Sequence, residues 1–415
     1  MNRADENFSV DFNRRDILRK TATLGAVAAV ATLSSVGAIS APPVMQGSSR
    51  AEPSAQKTWA KNKLRGIENI LLPSFLPDLK AIDEEAIRID VRNAAAQGFC
   101  STSVFPIWIR ESDPRWRGLC EVVLKESARS GILTSAGVGG RVADGLDVVI
   151  KRLQVLEAMG FSHALLSLAG TRETSADSLY DAYRRCLEST KLPVLLYANI
   201  NKHMLQLGPS GIPIDVFSRL ADLPNVVGVK ISQPVDLTTS FKICDRVSDK
   251  LLCAPVNLDF APLLSRSFSN IQYSGQWSSE AVQTPGKPLA VNLMNALQQR
   301  DFELAFKIHG QMQPALQHFY QLQAPTIVVG GHPWLHLKYY SWLGGGNGGL
   351  LPDLGLTAEQ VPPLTRADRA KIREAFRASG LPVTDAPEEQ FVVGRAAWDR
   401  GIRPENLPTR PLYFS

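Results

Sequence analysis

From residue 66 onward, short runs of Val, Leu, Ile and Ala alternate with longer stretches in which apolar residues recur every three or four positions. The pattern predicts strands at 67–72, 99–104, 132–137, 162–168, 192–198, 225–231, 250–256 and 269–274. Short, mostly apolar runs of this kind are the pattern of strands covered on both faces in a parallel sheet. Between the third and fourth of them, Leu146, Val149, Ile150, Leu153 and Leu156 share one face of a helix, and Gly160 ends it. Eight such strands with helices between most of them predict an α/β chain folded as a (β/α)8 TIM barrel with a C-terminal helical extension. The expected divisions are a barrel over 61–285, a helical region over 286–385 with helices in 286–325 and 365–379, and a tail over 386–415. A chain of 415 residues accommodates one such barrel, roughly 250 residues in a typical case, with appendages.

The ends of the chain read differently. Residues 12–41 carry Arg14 and Arg15, then a weakly apolar run of Ala, Val, Leu and Gly, then small residues up to Ala41. This is the layout of a twin-arginine export signal over 1–41, followed by a Pro/Ser/Gln-rich linker over 42–60, and the expected location of the mature protein is periplasmic or extracytoplasmic, with no stable membrane span after cleavage. The glycine cluster 344–349 lacks a Lys-Ser/Thr ending, so it reads as a flexible connection and not as a phosphate loop. The net charge of +5 is small and spread out, without a basic stripe interleaved with aromatics, which argues against nucleic acid as a partner. Cys100, Cys120, Cys186, Cys244 and Cys253 are scattered singly and read as small buried hydrophobes, not as a disulfide framework or a metal site.

Two polar residues near the ends of strand-like runs carry the chemistry. A parallel barrel works at the C-terminal ends of its strands. There Lys230, in NVVGVKIS, would be an amine in an apolar enclosure, where burial favours the neutral nucleophile that forms a Schiff base with a ketone or aldehyde. Tyr197, in LPVLLYAN one strand earlier, is placed to pass protons to and from that carbonyl. These segments resemble the dihydrodipicolinate synthase and N-acetylneuraminate lyase superfamily of class I aldolases, in which a strand ending in Tyr-Asn-x-Pro precedes one reading Asn-hydrophobic-hydrophobic-Gly-hydrophobic-Lys. Asn225, Val226, Val227, Gly228, Val229 and Lys230 complete the second signature, GILTSAGVGG (131–140) looks like the family's third strand, and the resemblance covers most of 66–380.

The resemblance implies a homo-oligomer that needs no cofactor and no metal, with Lys230 as imine-former and Tyr197 as proton shuttle acting on a small 2-oxo acid such as pyruvate. The chain departs from the family elsewhere. Where the family's second strand ends in Gly-Thr-Thr-Gly-Glu, STSVFPIWIRES (101–112) offers Ser101, Thr102 and Ser103 as hydroxyls and Arg110 as a carboxylate clamp. The family's tyrosine pair is replaced in SLAGTRETS (167–175), with Gly170 and Thr171 nearest those positions, and Lys202 stands nearest the synthase branch's arginine. His332 and His336 are four apart but have no carboxylate beside them, so the spacing does not make a metal site. The expected function is a Schiff-base lyase or aldolase making or breaking a carbon–carbon bond; the alternative is a non-catalytic barrel binding a small carboxylate or sugar acid.

The export reading has a direct test. Replacing Arg14 and Arg15 by Lys is expected to abolish periplasmic accumulation, and the exported protein should begin close to Ala41 by intact mass; unchanged accumulation of the double variant would remove the twin-arginine reading.

Overall fold

The computed structural model describes residues 52–139, 145–168, 173, 175–200, 202–207 and 210–408; the export segment and linker residues 42–51 lie outside them. Among the described residues stand eight parallel strands: β1 (Gly66–Leu71), β2 (Ser101–Val104), β3 (Leu133–Gly139), β4 (His163–Ser167), β5 (Val194–Ala198), β6 (Val226–Ile231), β7 (Leu252–Pro255) and β8 (Tyr273–Gly275). Their order is β7-β6-β5-β4-β3-β2-β1-β8. The last gap is closed by Cys253 N–H donating to Asn270 O (3.0 Å), just ahead of β8. Each expected strand is present within a few residues, and the chain forms a TIM barrel. Helices α2 (Glu84–Ala96), α3 (Arg115–Ser130), α4 (Leu146–Met159), α5 (Ala176–Glu188), α6 (Ile214–Leu220), α7 (Leu237–Val247) and α8 (Ala261–Ser267) fill the crossovers. Gly160 stops α4 in the left-handed conformation at φ 87°.

One helix precedes the barrel. The linker expected over 42–60 is helical at its far end, in α1 (Ala55–Lys63), capped by Ser54, whose Oγ accepts from Lys57 N–H (3.2 Å). Ala60 and Leu64 pack with Leu165, Leu195, Val227, Leu252, Ala254 and Tyr273, the apolar floor inside the strands' N-terminal ends. Burial of these two residues is what makes a segment of weak local pattern fold.

The C-terminal extension comprises α9 (Leu289–Gln298), α10 (Phe302–Val328), α11 (Trp334–Leu343), α12 (Arg366–Ala378), α13 (Glu388–Val393) and α14 (Arg395–Asp399). The glycine cluster 344–349, expected to be a flexible connection, is instead mostly buried. A Cβ on Gly346 would lie 2.8 Å from Asp90 Oδ1, so glycine is there for lack of room. Asn347 brackets the barrel to the tail: its N–H donates to Asp90 Oδ1 (2.6 Å), while its backbone and side-chain oxygens accept from Arg395 N–H and Ala396 N–H (2.9 Å each).

Lys338 of α11 completes this joint. Its Nζ donates to Leu72 O (2.8 Å) and Ser74 Oγ (2.7 Å) and lies 3.5 Å from Asp90 Oδ2. Burial pushes Lys338 down and Asp90 up, each opposed by the other's charge. Removing one partner of a buried pair leaves the other uncompensated, so Lys338→Met is expected to lower the unfolding free energy by about 3–5 kcal/mol, with Asp90→Asn added to it recovering much of the loss. Denaturant unfolding of the two variants checks this, and a single-variant loss below about 1 kcal/mol would mean that Asp90 is not held as an ion.

Candidate active site

The geometry around Lys230 starts from the phase of β5 and β6. Leu195 and Tyr197 face the barrel interior, while Val194, Leu196 and Ala198 face the helices. A register shift between Val194 and Leu195 then pairs Tyr197 with Lys230. Gly228 makes the packing possible, because a Cβ there would lie 2.9 Å from Leu252 O on β7. Asn225 is structural: its Nδ2 donates to Leu187 O (2.8 Å) and Thr190 O (3.1 Å), tying the start of β6 to the end of α5. Of the signature's residues, Asn225 and Gly228 hold the strand and Lys230 supplies a buried amine.

Lys230 is 5% exposed, with Nζ 5.0 Å from the Tyr197 ring centre and 5.7 Å from that of Phe105. Burial pulls its pKa down to about 8, against the raising effect of Glu68 and Glu280. Tyr197 Oη lies 3.2 Å from Ser232 Oγ; burial pushes the phenol's pKa up, and the bond to Ser232 opposes that. Lys230 Nζ donates to Gln276 Oε1, and Gln276 Nε2 donates to Glu68 Oε1 (2.5 Å).

Beneath the amine lies a polar floor. Glu68 Oε2 accepts from Ser101 Oγ (2.9 Å) and Ser135 Oγ (2.7 Å) and lies 3.2 Å from His163 Nε2, which is also 3.2 Å from Tyr273 Oη. Burial alone would raise the Glu68 pKa; the bond and charge of His163, with Ser135 and Tyr273, bring it down to about 2. Glu68, Ser135, His163, Tyr273 and Lys230 line an enclosed cavity of about 10 Å³, room for no more than a water molecule. Anything larger than water would have to approach Lys230 from the opposite side.

Aromatic rings line that side. Trp277 stacks on His332 (4.3 Å, 2°) and meets Trp334 (4.8 Å), which meets Trp108 (5.1 Å). Burial and the nearby Lys230 charge bring the His332 pKa down to about 4, so its imidazole is neutral at physiological pH. His332 and His336 do not converge, since one stacks on Trp277 and the other lies 3.9 Å from Asp368. Among the described residues no group of His, Cys, Asp and Glu is arranged to hold a metal.

The other sequence-derived site residues spread out. Ser101 and Ser103 take the inward positions of β2, and Ser103 Oγ lies 2.8 Å from Ser135 Oγ, to which it can donate because the Ser135 proton goes to Glu68. Thr102 then faces the helical layer, with Oγ1 buried and unpartnered, and Arg110 is exposed on the loop after β2. Neither is brought to the amine. Lys202 opens a short 3₁₀ turn, but its side chain, like Gly170 and Thr171, lies outside the described residues. Glu68, Gln276, Glu280 and His163 escape sequence reasoning, although an acid within the strand GIENIL is a visible anomaly.

No family model matches the chain. It is 27% identical over 170 residues to the 4-hydroxy-tetrahydrodipicolinate synthase of Anaplasma marginale (strain St. Maries), a match covering 40% of this chain and 54% of that protein. The match thus spans about half the length of this relative. A putative dihydrodipicolinate synthetase from Pseudomonas aeruginosa superposes with a TM-score of 0.58 at 20% identity, covering 76% of this chain and 99% of that one. The chloride-inhibited dihydrodipicolinate synthase from Acinetobacter baumannii complexed with pyruvate superposes at 0.57 and 18% identity, covering 77% and 100%. The resemblance to the dihydrodipicolinate synthase and N-acetylneuraminate lyase superfamily holds, at a divergence that the low identities measure.

Glu280 gives the site a pH signature. Its carboxylate accepts from Ile70 N–H (2.8 Å) and Ser279 Oγ (3.0 Å), yet burial pushes its pKa from the ordinary 4.5 up to about 7. Folding therefore favours the protonated form, a contribution complete below the ordinary value and lost as pH rises through 7. Glu280→Gln never ionises, so its stability relative to the parent should rise between pH 4.5 and 8 by on the order of 3 kcal/mol. Denaturant unfolding at pH 5 and pH 8 checks this; an equal difference at both would show that Glu280 titrates normally.

Proposed function

We propose that this chain, built on the fold of dihydrodipicolinate synthases, is a Schiff-base-forming lyase or aldolase that joins Lys230 to a 2-oxo acid of the pyruvate type and makes or breaks a carbon–carbon bond. The observation that carries this is a buried amine of lowered proton affinity at the C-terminal end of β6, in register with Tyr197 on β5. With a pKa of about 8, on the order of one-tenth of Lys230 is neutral at pH 7, against less than one-thousandth for an ordinary lysine. The pyruvate in the Acinetobacter structure supports the choice of substrate class. Export through the 12–41 segment and assembly into a homo-oligomer belong to the same proposal.

The chemistry follows from the placement. Neutral Lys230 adds to the keto carbon, giving a carbinolamine. Tyr197, kept protonated by burial, delivers a proton to the hydroxyl, which leaves as water as the C=N bond forms. The iminium then takes in the electron pair of one bond at the adjacent carbon, giving an enamine: either a C–H bond, whose proton passes to the Tyr197 phenolate, or the C–C bond to the second fragment, which leaves as a carbonyl compound. The enamine returns that pair to the second fragment's carbonyl carbon or to a proton, and hydrolysis returns the amine. A second reading, a barrel that binds a small carboxylate or sugar acid without turnover, is favoured by one observation: Thr102 faces away from the interior, so the hydroxyl offered in place of the family's second-strand threonines is not beside the amine to relay protons.

Trapping separates the two. Borohydride reduction after incubation with pyruvate or a related 2-oxo acid should leave one adduct, on the peptide containing Val229-Lys230-Ile231. Lys230→Ala and Lys230→Arg should both abolish it, since a guanidinium stays charged. Tyr197→Phe should slow labelling by about 10²–10⁴-fold with binding largely intact. A broad panel of 2-oxo acids that binds without labelling the wild type would leave the binding reading.

A further inference from the structure

Gln276 stands between two groups that face each other across the barrel. Because an ionised carboxylate only accepts, Gln276 must turn its Nε2 to Glu68 Oε1 and its Oε1 to Lys230, and the amide has no freedom to flip. The backbone is bent to reach this position: Gln276 has φ 78° and ψ 164°, and Trp277 has φ 68°, both in the region that side-chain-bearing residues rarely enter. Strain of that kind persists where the surroundings impose it, and it gathers at functional sites. The carboxylate at the far end is anchored more firmly than any other acid near the amine, by Ser101, Ser135 and His163 as well as Gln276.

We propose that Glu68, acting through Gln276, is the positioning residue for Lys230: it fixes where the amine sits and supplies the counter-charge for any positive nitrogen formed there. An iminium at Lys230 keeps one N–H, and Gln276 Oε1 is the acceptor aimed at it, with the carboxylate's charge one residue behind. The iminium part rests on the Schiff-base reading; the hold on the free amine does not. Other titratable groups face Lys230 from each packed element, namely Tyr197 on β5, Glu280 after β8 and His332 from the extension, with His163 and Tyr273 across the small cavity. Glu280 is the rival counter-charge, but its oxygens are committed to Ile70 N–H and Ser279.

The test reads Lys230 without a substrate. Cyanate carbamylates only neutral amines, so carbamylation of Lys230 in the full-length protein, followed by peptide mass spectrometry from pH 6 to 10, gives its titration midpoint, expected near 8 in the wild type. Glu68→Gln keeps the shape and removes the charge, and should move the midpoint acidward by about 1 unit. Should that variant fail to fold by circular dichroism, Gln276→Met, which removes the acceptor and leaves both charges, should move it in the same direction. Glu68→Asp, with the charge kept, should fall between wild type and Glu68→Gln. A midpoint that stays put or moves basic in a folded variant overturns the proposal, because loss of packing alone lowers stability without an acidward shift. Absence of 2-oxo acid trapping would defeat the aldolase reading and leave these midpoints standing.

Discussion

A carboxylate and an amine share the interior of this barrel, and the carboxylate could not stay ionised there unaided. Burying a lone ion costs several kcal/mol, which hydrogen bonds and opposite charge must offset. Glu68 meets that cost with donors from three strands and from Gln276, and the interior is built to suit: serines at 101, 103 and 135 occupy positions where barrel layers usually carry bulky aliphatic side chains. Below them α1 closes the floor, with Trp59 against the His163 ring at 6.2 Å. Lys230 is treated the other way. Its one hydrogen-bond acceptor among the described residues is an amide oxygen, and the rings of Tyr197 and Phe105 are centred 5.0 Å and 5.7 Å from its nitrogen. The acid is fully satisfied and the amine is left short, and burial of so sparsely bonded an amine brings its pKa down to about 8.

The C-terminal extension takes part in the same arrangement. Its aromatic residues His332 and Trp334 rest on Trp277, the residue after Gln276, so the strained turn that holds the amide is covered by residues more than fifty positions downstream. That segment is in turn bolted to the barrel by Lys338 on Leu72 O and Ser74, and by Asn347 on Asp90. Sites on rigid, buried supports keep their geometry better than sites on free loops. The extension thus bears on the amine's geometry without donating a reacting group.

What could be read from the sequence was what depends on neighbours along the chain. Strand phase, the left-handed stop at Gly160 and the Lys230 signature are local, and Tyr197 follows from alternation within β5. Alternation also corrects the sequence reading at β2, where Ser101 fixes the inward phase and Thr102 must point outward. Two misreadings came from composition standing in for packing: the glycine cluster looked loose because glycine is permissive, whereas it is there because Asp90 and Ser341 leave no space, and the end of the linker folds because Ala60 and Leu64 find an apolar floor. Gln276 and Glu68 were out of reach for a different reason. They are some two hundred residues apart, and only barrel closure between β8 and β1 brings them together.

The interposed glutamine has an electrostatic rationale. At an effective dielectric of about 20, unit charges about 3 Å apart attract by about 5.5 kcal/mol, and doubling the separation to about 6 Å leaves about 2.8 kcal/mol, a difference worth about 2 pKa units. A direct Glu68–Lys230 ion pair would draw the amine's pKa from about 8 back toward that of an ordinary lysine and leave almost none of it neutral. Setting the carboxylate one amide away keeps enough field to steady a positive nitrogen and too little to hold the free amine permanently charged. A glutamine whose orientation is fixed by the carboxylate gives that spacing without adding a titrating group of its own.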